Sequence, residues 1–493
     1  MASLNASELL AKIEGLTQRV VAAEEANVSL MENTDQFFLI TMGIICYLMQ
    51  GGFALFEAGS VRSKNITNIL IKNLLDSFVG CIAYWLVGYA LAYGKGNFFC
   101  GTEWWAFYGM PSSRYSHWWF QYVFAATAAT IVSGSLAERC DFRAYLIYSF
   151  VITGVVYPIV SHWAWDPNGW LLQGFNATDE NGEVFKAEYF DFAGSGAVHT
   201  LSGVAALCGS AILGPRIGRF DENGKPVDIR GHSIPMIACG VFILLFGFFA
   251  FNGGSNLAIS KPGDADVVSI AVLNTINGGS FGCMVVLIST RLYTGKWSLL
   301  SAINGCLAGM VSVCSGCCCV RMWSGAVMGA IGGFVCMFTS WLMVKVKVDD
   351  PVDAIAVHAG AGIWGLIAAQ LFEADVGVLY TFNRRAFIKL AWGLTGLCAI
   401  IAWTVLCCGS MFGLLRAFGI LRVPREIELK GLDVSKHNEP AYPAASYGDG
   451  WGSKNHMDII ESRHENGSND ELIGIDNVAL DTTAREETTT HRL

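Results

Sequence analysis

Charge is scarce in this sequence. Only 15% of its 493 residues are Asp, Glu, Lys or Arg, against about 25% in an average soluble domain. That scarcity argues against the roughly three soluble domains that length alone would allow. No basic excess exists either: 32 Lys and Arg stand against 41 Asp and Glu, with much of the acid in the two tails. Nothing resembles a nucleic-acid surface, so no nucleic-acid partner is expected. The first 34 residues lack the basic start and apolar stretch of a secretory leader. Metal-ligand clusters are wanting too. The 16 cysteines lie mostly inside apolar runs, where they serve as small hydrophobes. Cys314-Ser-Gly-Cys317-Cys318-Cys319 has no matching second pair and is a weak metal motif, with Cys100 a candidate disulfide partner. No cofactor is implied.

What the chain has in abundance is apolar sequence, 53% of the total, in runs of about 20 residues that suit a bilayer-spanning helix. The runs predict 11 spans: 37–58, 73–93, 118–138, 144–165, 192–213, 235–252, 267–289, 299–318, 324–344, 354–372 and 388–415. The expected fold is therefore an all-α polytopic membrane protein. Residues 1–34 form an outer segment, 35–422 the membrane domain and 423–493 a cytoplasmic tail, disordered beyond about 445. In the outer segment Leu9, Ile13, Leu16 and Val20 recur at helical spacing, which predicts a short amphipathic helix, over too few heptads to mark a coiled coil.

Basic residues set the orientation. Loops carrying Arg62 and Lys64, Arg139 and Arg143, Arg216 and Arg219 alternate with poorer ones. The richer set should face the cytoplasm, which puts the N-terminus outside and the C-terminus inside. The sequons at Asn5, Asn27 and Asn176 then fall outside and are candidates for glycosylation. The one at Asn466 falls inside.

Two internal echoes stand out. Asp191-Phe-Ala-Gly-Ser-Gly-Ala-Val-His199 opens span five, and Asp350-Pro-Val-Asp-Ala-Ile-Ala-Val-His358 opens span ten. Gly52-Phe-Ala-Leu-Phe-Glu-Ala-Gly-Ser60 in span one answers Gly247-Phe-Phe-Ala-Phe-Asn-Gly-Gly-Ser255 in span six. Both echoes are five spans apart. They predict two inverted five-helix repeats followed by a final long helix, a transporter signature with the substrate path at the repeat interface.

Within those repeats, His199 and His358 sit at equivalent positions in apolar helices. Ionisable groups at such depth line a cavity or pair with each other. A neutral imidazole offers one donor and one acceptor, so the pair would relay a proton or hold a small polar molecule, or else simply tie two helices together. No third ligand supports a metal there. Asp191 and Asp350 precede helices and suit capping, with attraction of a cation as the alternative for Asp191. Aromatics collect on the outer side: Trp163, Trp165, Phe120, Phe124 and Phe251, near Asn252 and Ser255. Interfacial belts explain many such residues, yet ring faces beside a hydroxyl also suit a small monovalent cation.

These stretches, with Ser135-Leu-Ala-Glu-Arg139, Phe251-Asn-Gly-Gly-Ser255 and Gly431-Leu-Asp-Val-Ser-Lys-His437 followed by Ala441-Tyr442, closely resemble the signatures of the ammonium transporter family (Amt/Mep/Rh). The match runs from about 36 to 443. Trp165 favours the Amt branch over Rhesus proteins, as does the lack of an extra leading span. The resemblance implies a non-enzymatic transporter, a homotrimer in the plasma membrane with one pore per subunit. It implies an outer ammonium site of Trp165, Phe120 and Ser255 supported by Asp191, a gate of Phe124 stacked on Phe251, and a pore lined by His199 and His358. Two features depart from the pattern: Cys314 stands where threonine is expected, and residues 1–34 lack the cysteines of plant members.

The expected mechanism recognises ammonium at the aromatic site, deprotonates it and conducts ammonia past the histidines. A bare ion would pay several kcal/mol in that apolar passage. Other classes are an ammonium-sensing receptor with little transport, a Rhesus-type gas channel, and a histidine–metal enzyme. In the tail, Ser435 is a candidate regulatory phosphorylation site.

Overall fold

The computed structural model describes residues 6–443. Asn5, Asn466 and the disorder expected beyond about 445 lie outside the described residues. Helices dominate. The chain begins with α1 (Ala6–Tyr47) and α2 (Met49–Ser60), then α3 (Ile66–Ala83) and α4 (Tyr89–Tyr93), and α5 (Tyr115–Ser135). Next come α6 (Phe142–Val151), α7 (Tyr157–Trp165) and the short α8 (Trp170–Gln173). Beyond a hairpin follow α9 (Leu201–Leu213), α10 (Ile234–Gly254), α11 (Asp264–Thr294), α12 (Leu299–Val313) and α13 (Met322–Lys345). The set ends with α14 (Ala361–Phe372), α15 (Val378–Thr381), α16 (Arg384–Ala417) and α17 (Arg425–Lys430). The hairpin pairs β1 (Phe175–Thr178) with β2 (Val184–Ala187) antiparallel, Phe175 opposite Ala187.

Each stretch read as a span is built mainly of helix, although 136–138, 192–194 and 314–318 lie outside it, and among the described residues nine helical segments are long and apolar enough to cross a bilayer. This is a multi-pass membrane protein. The two that fall short have physical reasons. The helix α12 has only 15 residues. The helix α5 is long enough but carries Gln121, Thr127, Thr130 and Ser133, and 17 of its 21 residues are buried. A helix wrapped by protein rather than lipid tolerates polar side chains that find partners. Thr127 and Thr130 return their hydroxyls to the carbonyls four residues back, at 2.8 and 2.9 Å.

Among the described residues there are five π-helical turns, one of them in the tail (Asp433–His437), and two of the others carry His199 and His358. His199 lies in Ser195–Thr200, which leads into α9, and His358 in Ile355–Gly360, which leads into α14. Such wide turns mark functional positions often enough to draw attention. Small residues let the two segments meet. A β-carbon on Gly203 would strike the backbone of Ala359, and one on Gly362 would sit 2.6 Å from the Ser195 carbonyl. The contacts are reciprocal between the two histidine-bearing segments. Elsewhere Gly278 and Gly282 of α11 press on Gly305, Gly309 and Gly329 of α12 and α13 at the same close range.

The helix α1 is longer than the short outer helix expected from residues 9–20. It runs unbroken for 42 residues into the first apolar stretch. Leu9, Ile13, Leu16 and Val20 are all at least half exposed on it.

Candidate functional site

The histidine pair is built from its caps inward. Each π-helical turn leaves backbone N–H groups free at its start, and an acid supplies the acceptor. The Asp350 carboxylate accepts from Ile355 N at 2.7 Å. That of Asp191 accepts from Gly194 N at 3.1 Å, Gly196 N at 2.9 Å and Ala197 N at 2.8 Å. Ser315 Oγ adds a bond of 2.5 Å and Tyr189 Oη one of 3.4 Å. With five donors and 3% exposure, Asp191 is a saturated cap.

The loop holding Asp191 is pinned from a second side. Phe192 N donates to Ser315 O and Ala193 N to Cys314 O, both at 3.0 Å. Cys314 Sγ turns back to Met310 O at 3.2 Å, the bond a threonine hydroxyl would make in the same place. Cys314, Cys317, Cys318, Cys319 and Cys100 are all free thiols, so Cys100 forms no disulfide with that run. No group of metal-ligating residues occurs among the described residues.

So held, the two imidazoles meet. Nδ1 of His199 lies 3.1 Å from Nδ1 of His358, with ring centroids 5.2 Å apart and planes 16° from parallel. Both rings are buried. One Nδ1 must donate and the other accept. The tautomers then oppose: one ring leaves an Nε2 lone pair and the other an Nε2–H. The pair thus offers one acceptor and one donor within apolar walls, which suits a small neutral hydride better than an ion. Nε2 of His199 has no hydrogen-bond partner among the described residues.

An aromatic column continues from His199. Phe248 stacks on its ring at 5.7 Å and Phe251 lies 5.6 Å away. Phe251 stacks on Phe124 at 3.9 Å and 13°, which closes the column. Phe120 follows at 4.9 Å from Phe124, and Trp165 meets Phe124 edge-on at 6.2 Å. Trp165 is fixed by its indole N–H, which donates to Asp191 O at 2.7 Å. The Ser255 hydroxyl donates to Phe251 O at 2.8 Å, so its oxygen is left to accept. These residues come together from α5, α7, α10 and the two histidine-bearing segments.

Below the helices is a buried ionic cluster that sequence reasoning recognised as a motif without seeing its task. Glu138 receives Arg62 at 2.5 Å and Arg216 at 3.4 Å. Arg216 also grips Asp349 at 2.8 Å, as Arg219 does at 3.2 Å. Arg139 donates to the carbonyls of Ser135, Gly214 and Asp349. Burial works to raise the Glu138 carboxyl, but the two guanidiniums hold it down at about 2. Their nearness in space and remoteness in sequence explain why spacing gave no signal.

The tail docks on its own chain. Asp433 accepts from Asn68 N at 2.8 Å, Asn65 accepts from Leu432 N at 3.0 Å, and His437 meets Asn68 Nδ2 at 2.8 Å. Glu428 bonds Arg422 at 2.8 Å and receives Ile217 N at 2.8 Å. Ser435 is half-buried, its hydroxyl covered and without a hydrogen-bond partner among the described residues. Asn27 on α1 and Asn176 on β1 are both exposed.

Comparison with known proteins agrees with this architecture. A sequence model of the Ammonium Transporter Family matches residues 36–442. The chain is 45% identical over 439 residues to putative ammonium transporter 1 of Caenorhabditis elegans, covering 85% of this chain and 81% of that one. It is 39% identical over 441 residues to ammonium transporter 1 member 3 of Solanum lycopersicum, covering 85% and 95%. Among solved structures it is similar to a sensor Amt protein, with a TM-score of 0.75 and 29% identity over 83% of this chain and 99% of that one. Most of the chain, with its paired imidazoles and aromatic column, thus has the pattern of one group: this protein belongs to the ammonium transporter family, in its Amt branch.

Proposed function

We propose that this protein carries ammonium across the plasma membrane by binding the ion, removing its proton and conducting ammonia. Trp165, Phe120 and Ser255 form the outer site. The ring faces attract a small cation, and the Ser255 oxygen accepts one of its N–H groups. Asp191 serves as the strut that orients Trp165 and the His199 turn. Phe124 and Phe251 gate the entrance to the pore. His199 and His358 line it, offering ammonia one donor and one acceptor. A potassium ion has no proton to give up and meets only apolar rings and neutral imidazoles, where desolvation costs several kcal/mol. The observation that carries this reading is the 3.1 Å contact between the two histidines within the aromatic column.

The reading includes eleven crossings: the nine apolar segments plus α5 and α12. Two inverted halves precede α16, in keeping with the paired histidine turns and their reciprocal glycine contacts. Residues 1–34 and the β1–β2 hairpin lie outside, and 423–493 form the cytoplasmic tail. Asn5, Asn27 and Asn176 carry glycans on the outer side. Three copies assemble, with the exposed apolar residues of α1 supporting self-association. A phosphate on Ser435 would meet the buried underside of the docked tail and release it.

Methylammonium uptake in cells lacking their own transporters tests the reading. Saturable uptake that falls at least about tenfold in His358→Ala is expected; wild-type cells that take up no more than controls would refute it. A sensing role with little transport is the second reading, favoured by the name of one structural relative. The same assay separates the two.

A further inference from the structure

The second sequence echo pairs residues of α2 with residues at the end of α10. Aligned residue for residue, Phe56 answers Phe251, Glu57 answers Asn252 and Ser60 answers Ser255. One copy contributes Phe251 and Ser255 to the aromatic column. The other copy borders a cavity on the far side of His358. Its walls include Phe53, Phe56, Leu244, Phe248 and Val357, and of the eleven residues that line it Glu57 and His358 alone are polar.

Glu57 is an unusual occupant. It lies inside α2 and is only 2% exposed. Its carboxylate oxygens receive Ser133 Oγ at 2.6 and 2.7 Å, and Asn73 Nδ2 donates to Oε2 at 2.8 Å. Asn73 is itself tied to Ile69 O at 3.0 Å, which fixes its amide. Among the described residues no arginine or lysine lies within ion-pair distance of Glu57; the nearby Lys72 donates instead to Cys140 O at 3.1 Å. Neutral donors orient a carboxylate without cancelling its charge. The acid is therefore held rigidly, facing the pore cavity, with the buried Lys72 and Asp76 near it but neither in ion-pair contact with it. Acids placed so deep among apolar helices are costly and mark substrate or ion pathways. Asn252, at the equivalent position, is neutral, its amide donating to Thr275 Oγ1 at 2.7 Å. The two equivalent positions thus differ by one ionisable carboxyl group.

We propose that Glu57 and His358 form an inner site for a small monovalent ammonium-type cation. The carboxylate is the counter-ion that the cation meets at the inner end of the apolar passage. His358, whose Nδ1 is engaged with His199, contributes its other ring nitrogen. This inference rests on the twin-histidine pathway proposed above.

The test measures uptake of labelled methylammonium against increasing cytoplasmic methylammonium, per copy at the cell surface, for wild type, Glu57→Gln, Glu57→Asn and Glu57→Asp. Loss of a single contact charge should raise the half-inhibiting cytoplasmic concentration about tenfold or more. The external concentration for half-maximal uptake should stay unchanged, because the outer site is intact. Glu57→Asp should recover part of the inner affinity. Glu57→Asn installs the residue found at 252, so it serves if the glutamine variant fails to reach the surface. An unshifted half-inhibiting concentration in either neutral variant overturns the inner site. Absence of saturable uptake by the wild type instead refutes the transport reading.

Discussion

Glu138→Gln is the sharpest probe of the cytoplasmic ionic cluster. Glutamine keeps the shape and loses the charge, so Arg62 and Arg216 remain buried beside a neutral amide. Removing one partner from a buried ion pair costs about 3–5 kcal/mol. A second route gives a similar figure. The Glu138 carboxyl is held at about 2, against an ordinary value of 4.5. At 1.36 kcal/mol per unit, that difference is worth about 3 kcal/mol. The side chain is fully buried, so solvent screening does not reduce it. A depressed acid stabilises above its unfolded value, and the contribution fades as pH falls from 4.5 towards 2. Thermal unfolding of the detergent-purified protein at pH 7 should therefore show the variant melting several degrees lower. The gap between the two proteins should narrow as pH falls below 4.5. Equal melting temperatures at pH 7, or a gap that does not change with pH, would refute the reasoning.

Other outcomes follow from the same geometry. Asp433 is raised to about 6 by burial, despite donors from Asn68 and its neighbours. A raised acid costs the docked tail stability above pH 6 and progressively less below it, so acidifying the inner face should slow proteolysis of the tail; faster cleavage at low pH would contradict this. A Gly203→Val side chain would strike the backbone of Ala359. It should force the histidine segments apart and abolish uptake and folded yield together, whereas normal uptake would show that the crossing is not so tight. Leu16→Cys on α1 should give an oxidised dimer band on gels if copies associate through that face, while Gln18→Cys should not; the reverse pattern would count against that face.

The bilayer spans were legible because lipid leaves only one economical solution for a long apolar run. The histidines were legible because imidazoles are rare in such runs and these two recur at matching positions. The capping position of Asp191 was legible from its place before a helix, but the saturation of its carboxylate was hidden, since Ser315 Oγ comes from 124 residues away. The Arg216–Asp349 pair spans 133 residues and left no local pattern. The length of α1 was missed because an exposed helix needs no continuous apolar stripe. Cys314 departed from the expected threonine in identity, yet its sulfur reaches the same type of backbone acceptor.

The central claim is that the paired histidines pass ammonia and exclude alkali ions. Its most direct measurement is the flux of ammonium and of potassium through the purified protein in liposomes, for wild type and for His199→Ala with His358→Ala. The account predicts ammonium flux without potassium leak in the wild type, and in the double variant either loss of ammonium flux or entry of potassium. Unchanged ammonium flux with potassium still excluded would contradict it.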